Sequence, residues 1–329
     1  MNNPLTNSSL ANKPLGRHLV AYSKQYLAVL MILVIFAVGE IAIGSFFTPT
    51  MILMTIKFAS IISLLGLGQM LIIASGGDID LSVGFNATFV AVIAAGFMDG
   101  QNSGLFAAII IAIVLGGFIG LLNGLITVLL KLPSLVVTLA MALVVQGAIN
   151  VYAAGMSITG RPSPLLNQLA AKMTGIFPNI LFLLIVVTII TVFLLNKTRI
   201  GTLIRACGAN PVTAYRSGIN VPRVRILSFV ACGVIAGFVG LLLMGAAGQI
   251  FKDLGSTYVM PSIAAVIVGG IPLKGGQTNF IGVIIGAIVL QTITNLFVAF
   301  GWGDGGKWLG YGLVLLLVLI AYIREKVSR

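Results

Sequence analysis

The chain has 329 residues, 59% of them hydrophobic and 8% charged, with a mean hydropathy of +1.14. That composition excludes a soluble globular or disordered protein, because only lipid can cover so much apolar surface. The net charge of +12 arises from 19 Lys and Arg against 7 Asp and Glu, and the cations sit beside apolar runs, where they orient a membrane protein and do not signal nucleic-acid binding.

Residues 1–25 read as a cytoplasmic tail carrying Lys13, Arg17, Lys24 and the only histidine, His18. The apolar run that follows is too long for a signal-peptide core and lacks a small-residue cleavage site, so it reads as an uncleaved first span. Taking runs of about 20 apolar residues as membrane helices places spans at 26–47, 52–74, 84–98, 104–130, 133–155, 177–195, 226–247, 256–271, 279–300 and 308–323. The expected fold is all-α, a polytopic membrane protein with a single domain over 26–323, a C-terminal tail at 324–329 and both termini cytoplasmic. The third and eighth spans are short and read as tilted, broken or partly re-entrant.

Glu40 and Lys57 lie toward the outer ends of the first two spans, positioned either to pair or to reach the interface separately. Between the second and third spans stands GGDIDLSVG, with Gly77, Asp80, Ser82 and Gly84 as its structural residues. Carboxylates at membrane depth are costly and commonly functional, but at a helix break Asp80 can instead cap the helix that begins near Ser82. Further along, Gly116, Gly120 and Gly124 form a small-residue ridge, as do Gly233 with Gly237 and Gly282 with Gly286, which predicts close helix packing. Asn123 with Thr127, Gln146 with Asn150, and Gln291 with Asn295 are spaced i, i+4, and Thr292 lies beside the last pair. Asn123, Gln146, Asn150, Gln291, Thr292 and Asn295 are therefore candidates to line a path for a neutral polyol, since amides and hydroxyls donate and accept without charge. The alternative is interhelical hydrogen bonding.

The connecting loop at 196–225 carries Lys197, Arg199, Arg205, Arg216, Arg223 and Arg225 and no acidic residue. Within it Asn210 and Pro211 can start a helix and Gly218 can stop it, which predicts a short helix facing the cytosol. GGIPLKGG then supplies Gly269, Gly270, Gly275 and Gly276, and its partial match to GGDIDLSVG hints at an internal repeat. With this topology 14 of the 19 cations fall on the cytoplasmic side, leaving only Lys57, Arg161, Lys172, Lys252 and Lys307 for the other. Cys207 and Cys232 have neither disulfide nor metal-site spacing, and no phosphate-binding loop is present, so the chain is not expected to be an enzyme.

IDLSVG at 79–84, LPSLVVTL at 132–139, the Gly208, Asn210, Ser217, Gly218, Ile219 pattern and GGIPLKGG occur in an order that resembles the permease subunits of bacterial ABC importers for monosaccharides. That family covers ribose, xylose, arabinose and galactose permeases and autoinducer-2 permeases. The resemblance extends over nearly the whole chain. It implies a multi-pass protein of the bacterial inner membrane, surrounded by lipid. Its expected partners are a cytoplasmic ABC ATPase that binds Mg-ATP, a periplasmic sugar-binding protein and a second permease copy or paralogue. On this chain it implies no cofactor, metal or nucleic acid. It assigns contact with the ATPase to Asn210, Ala214, Ser217 and Gly218, with Arg216 beside them. The sequence departs from the family pattern at Asp78, Tyr215 and Pro272. The alternative reading is a proton-coupled secondary transporter using Asp78 or Asp80; a channel is disfavoured, because no ring of charge or aromatic filter is visible.

Overall fold

The computed structural model describes residues 14–155, 160–303, 305–313 and 316. The extreme N-terminal residues 1–13, the tail 324–329 and much of the expected tenth span lie outside them. Helix α1 runs over Pro14–Ile43, α2 over Pro49–Gly76 and α3 over Val83–Met98. Helices α4 (Leu105–Ile111) and α5 (Gly117–Leu129) are joined by a π-turn at Ala112–Gly116, and α6 covers Ser134–Gly155. A short α7 (Pro164–Ala170) and a two-stranded hairpin (Met173–Thr174 with Phe177–Pro178) precede α8 (Asn179–Lys197). Then come α9 (Arg199–Ala209), α10 (Pro211–Arg216), α11 (Val221–Ala247), α12 (Val259–Val268) and α13 (Phe280–Ala299). Residues 305–313 are helical as well.

Among the described residues seven helices are long and apolar enough to cross a membrane: those beginning at Tyr26, Pro49, Asn102, Ser134, Asn179, Val221 and Phe280. The expected third and eighth spans are real helices but shorter, at Val83–Met98 and Ser256–Val268. Of the ten expected spans, seven match long apolar helices among the described residues, two match these shorter helices, and the tenth, 308–323, lies largely outside the described residues. Breaks at Gly77 to Ser82 and Gly269 to Asn279 leave α3 and α12 short.

Polar caps and glycines set the helix ends. Thr48 Oγ1 accepts from the Met51 N–H with Pro49 in the first turn, and Gly77 stops α2 at φ +76°. Asn220 Oδ1 accepts from the Arg223 N–H at 3.0 Å to start α11, and Gly248 ends it at φ +72°. These satisfy backbone groups that lipid cannot. Helix α2 is the most enclosed of the long helices. Its polar residues Thr55, Ser60 and Ser63 turn their hydroxyls back onto carbonyls four residues earlier at 2.7–2.8 Å, so they cost little inside the bundle.

The glycine ridges pack as their spacing predicts. A Cβ on Gly116 would meet the Gly233 carbonyl, one on Gly120 the Phe229 carbonyl and one on Gly237 the Ala112 carbonyl, so α5 and α11 touch backbone to backbone. The π-turn lies in the same seam. Asn86 of α3 donates to the carbonyls of Gly116 and Gly233, both at 3.3 Å, tying a third helix across it. Gly282 and Gly286 meet Gly269 and Ala265 at the seam of α12 and α13.

Glu40 and Lys57 do not pair. Glu40 Oε2 accepts from the Phe47 N–H at 2.6 Å, while Lys57 Nζ donates to the Ala171 carbonyl at 3.1 Å. That second bond places Lys57 at the end of the bundle that holds α7 and Lys172.

Candidate functional site

At the opposite end of α2 three glycine segments converge. Gly276 N–H donates to the Ala74 carbonyl at 2.9 Å. A Cβ on Gly208 of α9 would collide with both of those groups, and one on Gly77 would lie 2.7 Å from the Leu273 carbonyl. The GGDIDLSVG turn, the GGIPLKGG turn and α9 thus form one junction, in which Gly270, Gly275 and Gly276 hold φ between +81° and +87°. Such values are strained for residues with a side chain. The two motifs whose similarity hinted at a repeat both follow an apolar helix, and they lie against each other.

Helix α10 projects from this junction. Asn210 Oδ1 accepts from the Thr213 N–H at 3.0 Å and Pro211 occupies the first turn. At its end Gly218 has φ +82°; its N–H donates to the Tyr215 carbonyl, and the Ile219 N–H donates to the Ala214 carbonyl, both at 3.0 Å. This is the paired pattern of a left-handed helix stop. Ala214 is buried with Cys207 and Val221 beneath it, while Val212 and Tyr215 face outward, Tyr215 at 72% exposure. Arg216 and Ser217 are exposed too. Burial pushes the Cys207 thiol up, against the pull of the Arg225 guanidinium, so Cys207 is a packing residue and not a reactive one.

Two arginines lock the module to the bundle. Arg205 Nη1 donates to the Leu195 carbonyl at the end of α8 and to Thr278 Oγ1 ahead of α13 at 3.3 Å. Arg225, in the first turn of α11, grips Asp78 through Nη2 at 2.6 Å and Nε at 3.1 Å, both on Oδ2. A Cβ on Gly76 would sit 2.5 Å from Arg225 Nε, so the glycine leaves room for the guanidinium. The sequence identified both arginines only as orienting charges. Thr278 and Asp78 lie 73 and 147 residues from them along the chain and have no local signal.

Asp80 orders the turn ahead of α3 and does not cap the helix: the N-cap residue is Ser82, and the Asp80 carboxylate bonds Ser82 itself and none of the N–H groups of the first turn. Its Oδ1 accepts from the Ser82 N–H at 2.7 Å and the Ser82 hydroxyl at 2.6 Å, and Asn123 Nδ2 donates to Ser82 Oγ at 2.8 Å. Gln69 spans the Asp80 backbone, accepting from its N–H at 3.2 Å and donating to its carbonyl at 2.5 Å. Ser134 and Thr138 of α6 accept from the N–H groups of Ile79 and Leu81. Gly84 follows in α3, where a Cβ would strike the Gly255 carbonyl.

The six polyol candidates fall into separate places. Asn123 is fully buried in the Asp80 network, with its Oδ1 unpartnered. Gln146 is half-buried and Asn150 exposed on α6. Gln291 and Asn295 are linked at 2.9 Å near the far end of α13, and Thr292 is buried with its hydroxyl bonded to the Ile288 carbonyl. Among the described residues, no group of three or more His, Cys, Asp or Glu could hold a metal ion.

A family described as branched-chain amino acid transport system / permease component matches residues 51–322. The ribose import permease protein RbsC of Escherichia coli K12 is 27% identical over 303 residues, covering 91% of this chain and 94% of its own length. Its counterpart in Haemophilus influenzae is 26% identical over 314 residues, with 94% and 95% covered. The autoinducer 2 import system permease protein LsrC of Yersinia pestis is 30% identical over 297 residues, with 89% and 83% covered. No solved structure matches the chain.

Proposed function

The chain belongs to the branched-chain amino acid transport system / permease component family, and from that membership we propose that it is the membrane subunit of a binding-protein-dependent ABC importer for a monosaccharide or similar small polyol. It works in the bacterial inner membrane as one of two permeases, identical or paralogous, with both termini and the α9–α10 module in the cytoplasm. A periplasmic binding protein delivers solute, and cytoplasmic ATPase subunits holding Mg-ATP supply the energy. The names of the relatives, ribose and autoinducer 2 permeases, support the polyol over the amino acid in the family's description.

The observation that most supports an ATPase-driven mechanism is α10 itself: capped at both ends, outward-facing, and fixed through Arg205, Gly208 and Arg225 to the ends of α2, α8 and α13. A push on Asn210, Ala214, Arg216, Ser217 and Gly218 reaches those helices without passing through flexible chain. Two states of the bundle are then biased by nucleotide on the partner.

Reconstitution tests this. The chain alone in liposomes is expected neither to hydrolyse ATP nor to accumulate D-ribose, D-xylose or another sugar of a panel, whereas the assembly with ATPase and binding protein does both. Accumulation by the isolated chain driven by a proton gradient would overturn the proposal.

Within that assembly Gly218→Val is expected to lower stimulated ATP turnover and transport together. Nothing lies within 4 Å of a Cβ at this position, so the cost is the left-handed conformation alone, about 1–2 kcal/mol. Gly218→Asn should recover much of the loss, since Asn tolerates positive φ. Normal transport by Gly218→Val would mean that the end of α10 is not held for docking.

A further inference from the structure

A cavity of 310 Å3 lies at the end of the bundle away from the coupling module, and four aromatic rings and two amides wall it: Phe58, Tyr258, Trp308, Tyr311, Gln291 and Asn295. Phe58 belongs to the first half of α2, whose last residues enter the glycine junction, and the amides belong to the second half of α13, whose first residues follow that junction. The cavity therefore faces the side from which an importer receives solute.

Its polar groups are oriented before anything binds. Asn295 Nδ2 donates to Thr55 Oγ1 at 2.7 Å, Thr55 Oγ1 donates to the Met51 carbonyl at 2.8 Å, and Gln291 Nε2 donates to Asn295 Oδ1 at 2.9 Å. Tyr311 Oη shares a 2.7 Å bond with Thr294 Oγ1. Each amide keeps capacity beyond these bonds: a second N–H on both, and Oε1 on Gln291. An acyl chain would leave that capacity unmet, at a cost. Among the described residues the lining holds no carboxylate for a cation. Cavities of 430 and 360 Å3 elsewhere in the bundle are lined almost wholly by aliphatic side chains and suit lipid, which makes the mixed chemistry here distinctive. Interfacial Trp and Tyr alone could reflect a membrane boundary, but such a belt does not require a bonded pair of amides facing the same space.

We propose that this cavity is an outer subsite for a neutral cyclic polyol, whose C–H faces stack on the aromatic walls while Gln291 and Asn295 read its hydroxyls. The volume lies within the range of small-molecule sites, about 300–1,000 Å3. The assignment rests on the importer reading for its direction but not for its chemistry.

The chain has two tryptophans, Trp302 and Trp308, so Trp302→Phe leaves the cavity ring as the sole indole reporter. Full-length protein in lipid nanodiscs is titrated with D-ribose, D-xylose, D-glucose and myo-inositol. At least one is expected to change Trp308 emission saturably, and Gln291→Leu combined with Asn295→Leu to weaken the apparent Kd about tenfold or more. If the double variant does not accumulate, Asn295→Asp, which keeps the size and removes the amide donors, gives the same readout. No saturable change with any of the four up to their solubility, or a change indifferent to the amide substitutions, overturns the subsite. The measurement needs no ATPase or binding protein. ATP-driven transport without a Trp308 response would therefore remove the cavity and keep the importer, and the reverse result would do the opposite.

Discussion

Gly208→Val is expected to abolish solute accumulation and to lower the unfolding temperature of the purified permease. A Cβ at this position runs into the Ala74 carbonyl and the Gly276 amide, two backbone groups already bonded to each other. Neither is the tip of a flexible side chain that could swing aside. Overpacking of this kind costs about 1–3 kcal/mol where a core can adjust, and here relief requires α9 to lift from the end of α2. Gly147→Ala on α6, where a Cβ meets nothing within 4 Å, serves as the control and should be neutral or slightly stabilising. If Gly208→Val matched that control in both melting and transport, the three glycine segments would not meet in the working protein.

The second large effect concerns Asp78 and Arg225. Asp78→Ala and Arg225→Ala should each reduce transport per ATP hydrolysed more than they reduce ATP turnover, because the pair connects the start of α11, just after α10, to the α2–α3 turn. Charge-assisted hydrogen bonds contribute about 1.5–3 kcal/mol. The Arg225 side chain is 28% exposed, which moderates this, so a double-mutant cycle on stability should give a coupling energy of about 1–2 kcal/mol. Additive losses, with no coupling between the two sites, would show that the contact transmits nothing.

What the sequence could reveal depended on how far each signal reaches along the chain. Helix α10 was legible because capping by Asn210, entry through Pro211 and the stop at Gly218 are local events within nine residues. The glycine ridges were legible because a helix repeats its face every three or four residues, so Gly116, Gly120 and Gly233 announce close contact without naming the partner. Asp80 shows where the local signal misleads: its place at a helix break suggests a cap, but its carboxylate bonds the Ser82 N–H and hydroxyl two residues on and orders the turn before α3. The grip of Arg225 on Asp78 spans 147 residues and leaves no trace in either neighbourhood. Helix α9 was also missed as an element. Its apolar face is short, and its role comes from Gly208 and Arg205 meeting turns that only the fold brings near. The polar pairs show the limit of spacing as evidence. Asn123 and Gln291 share a pattern, yet one lies in a closed network and the other beside a cavity.

The backbone contact between α5 and α11 restricts which parts of the molecule can move. Helices separated by side chains can shear, because rotamers adjust as one slides past the other. Where Gly116 meets the Gly233 carbonyl and Gly120 the Phe229 carbonyl there are no rotamers to adjust, and Asn86 pins both strands of the seam. These helices act as a welded plate. Any stroke must be taken up at looser boundaries, and α6 offers one, since most of its surface is exposed and its grip on the rest includes two hydroxyls, Ser134 and Thr138, at the turn that Asp80 organises. A conformational cycle would then swing α6, with Gln146 and Asn150 on it, against a plate that keeps its shape throughout.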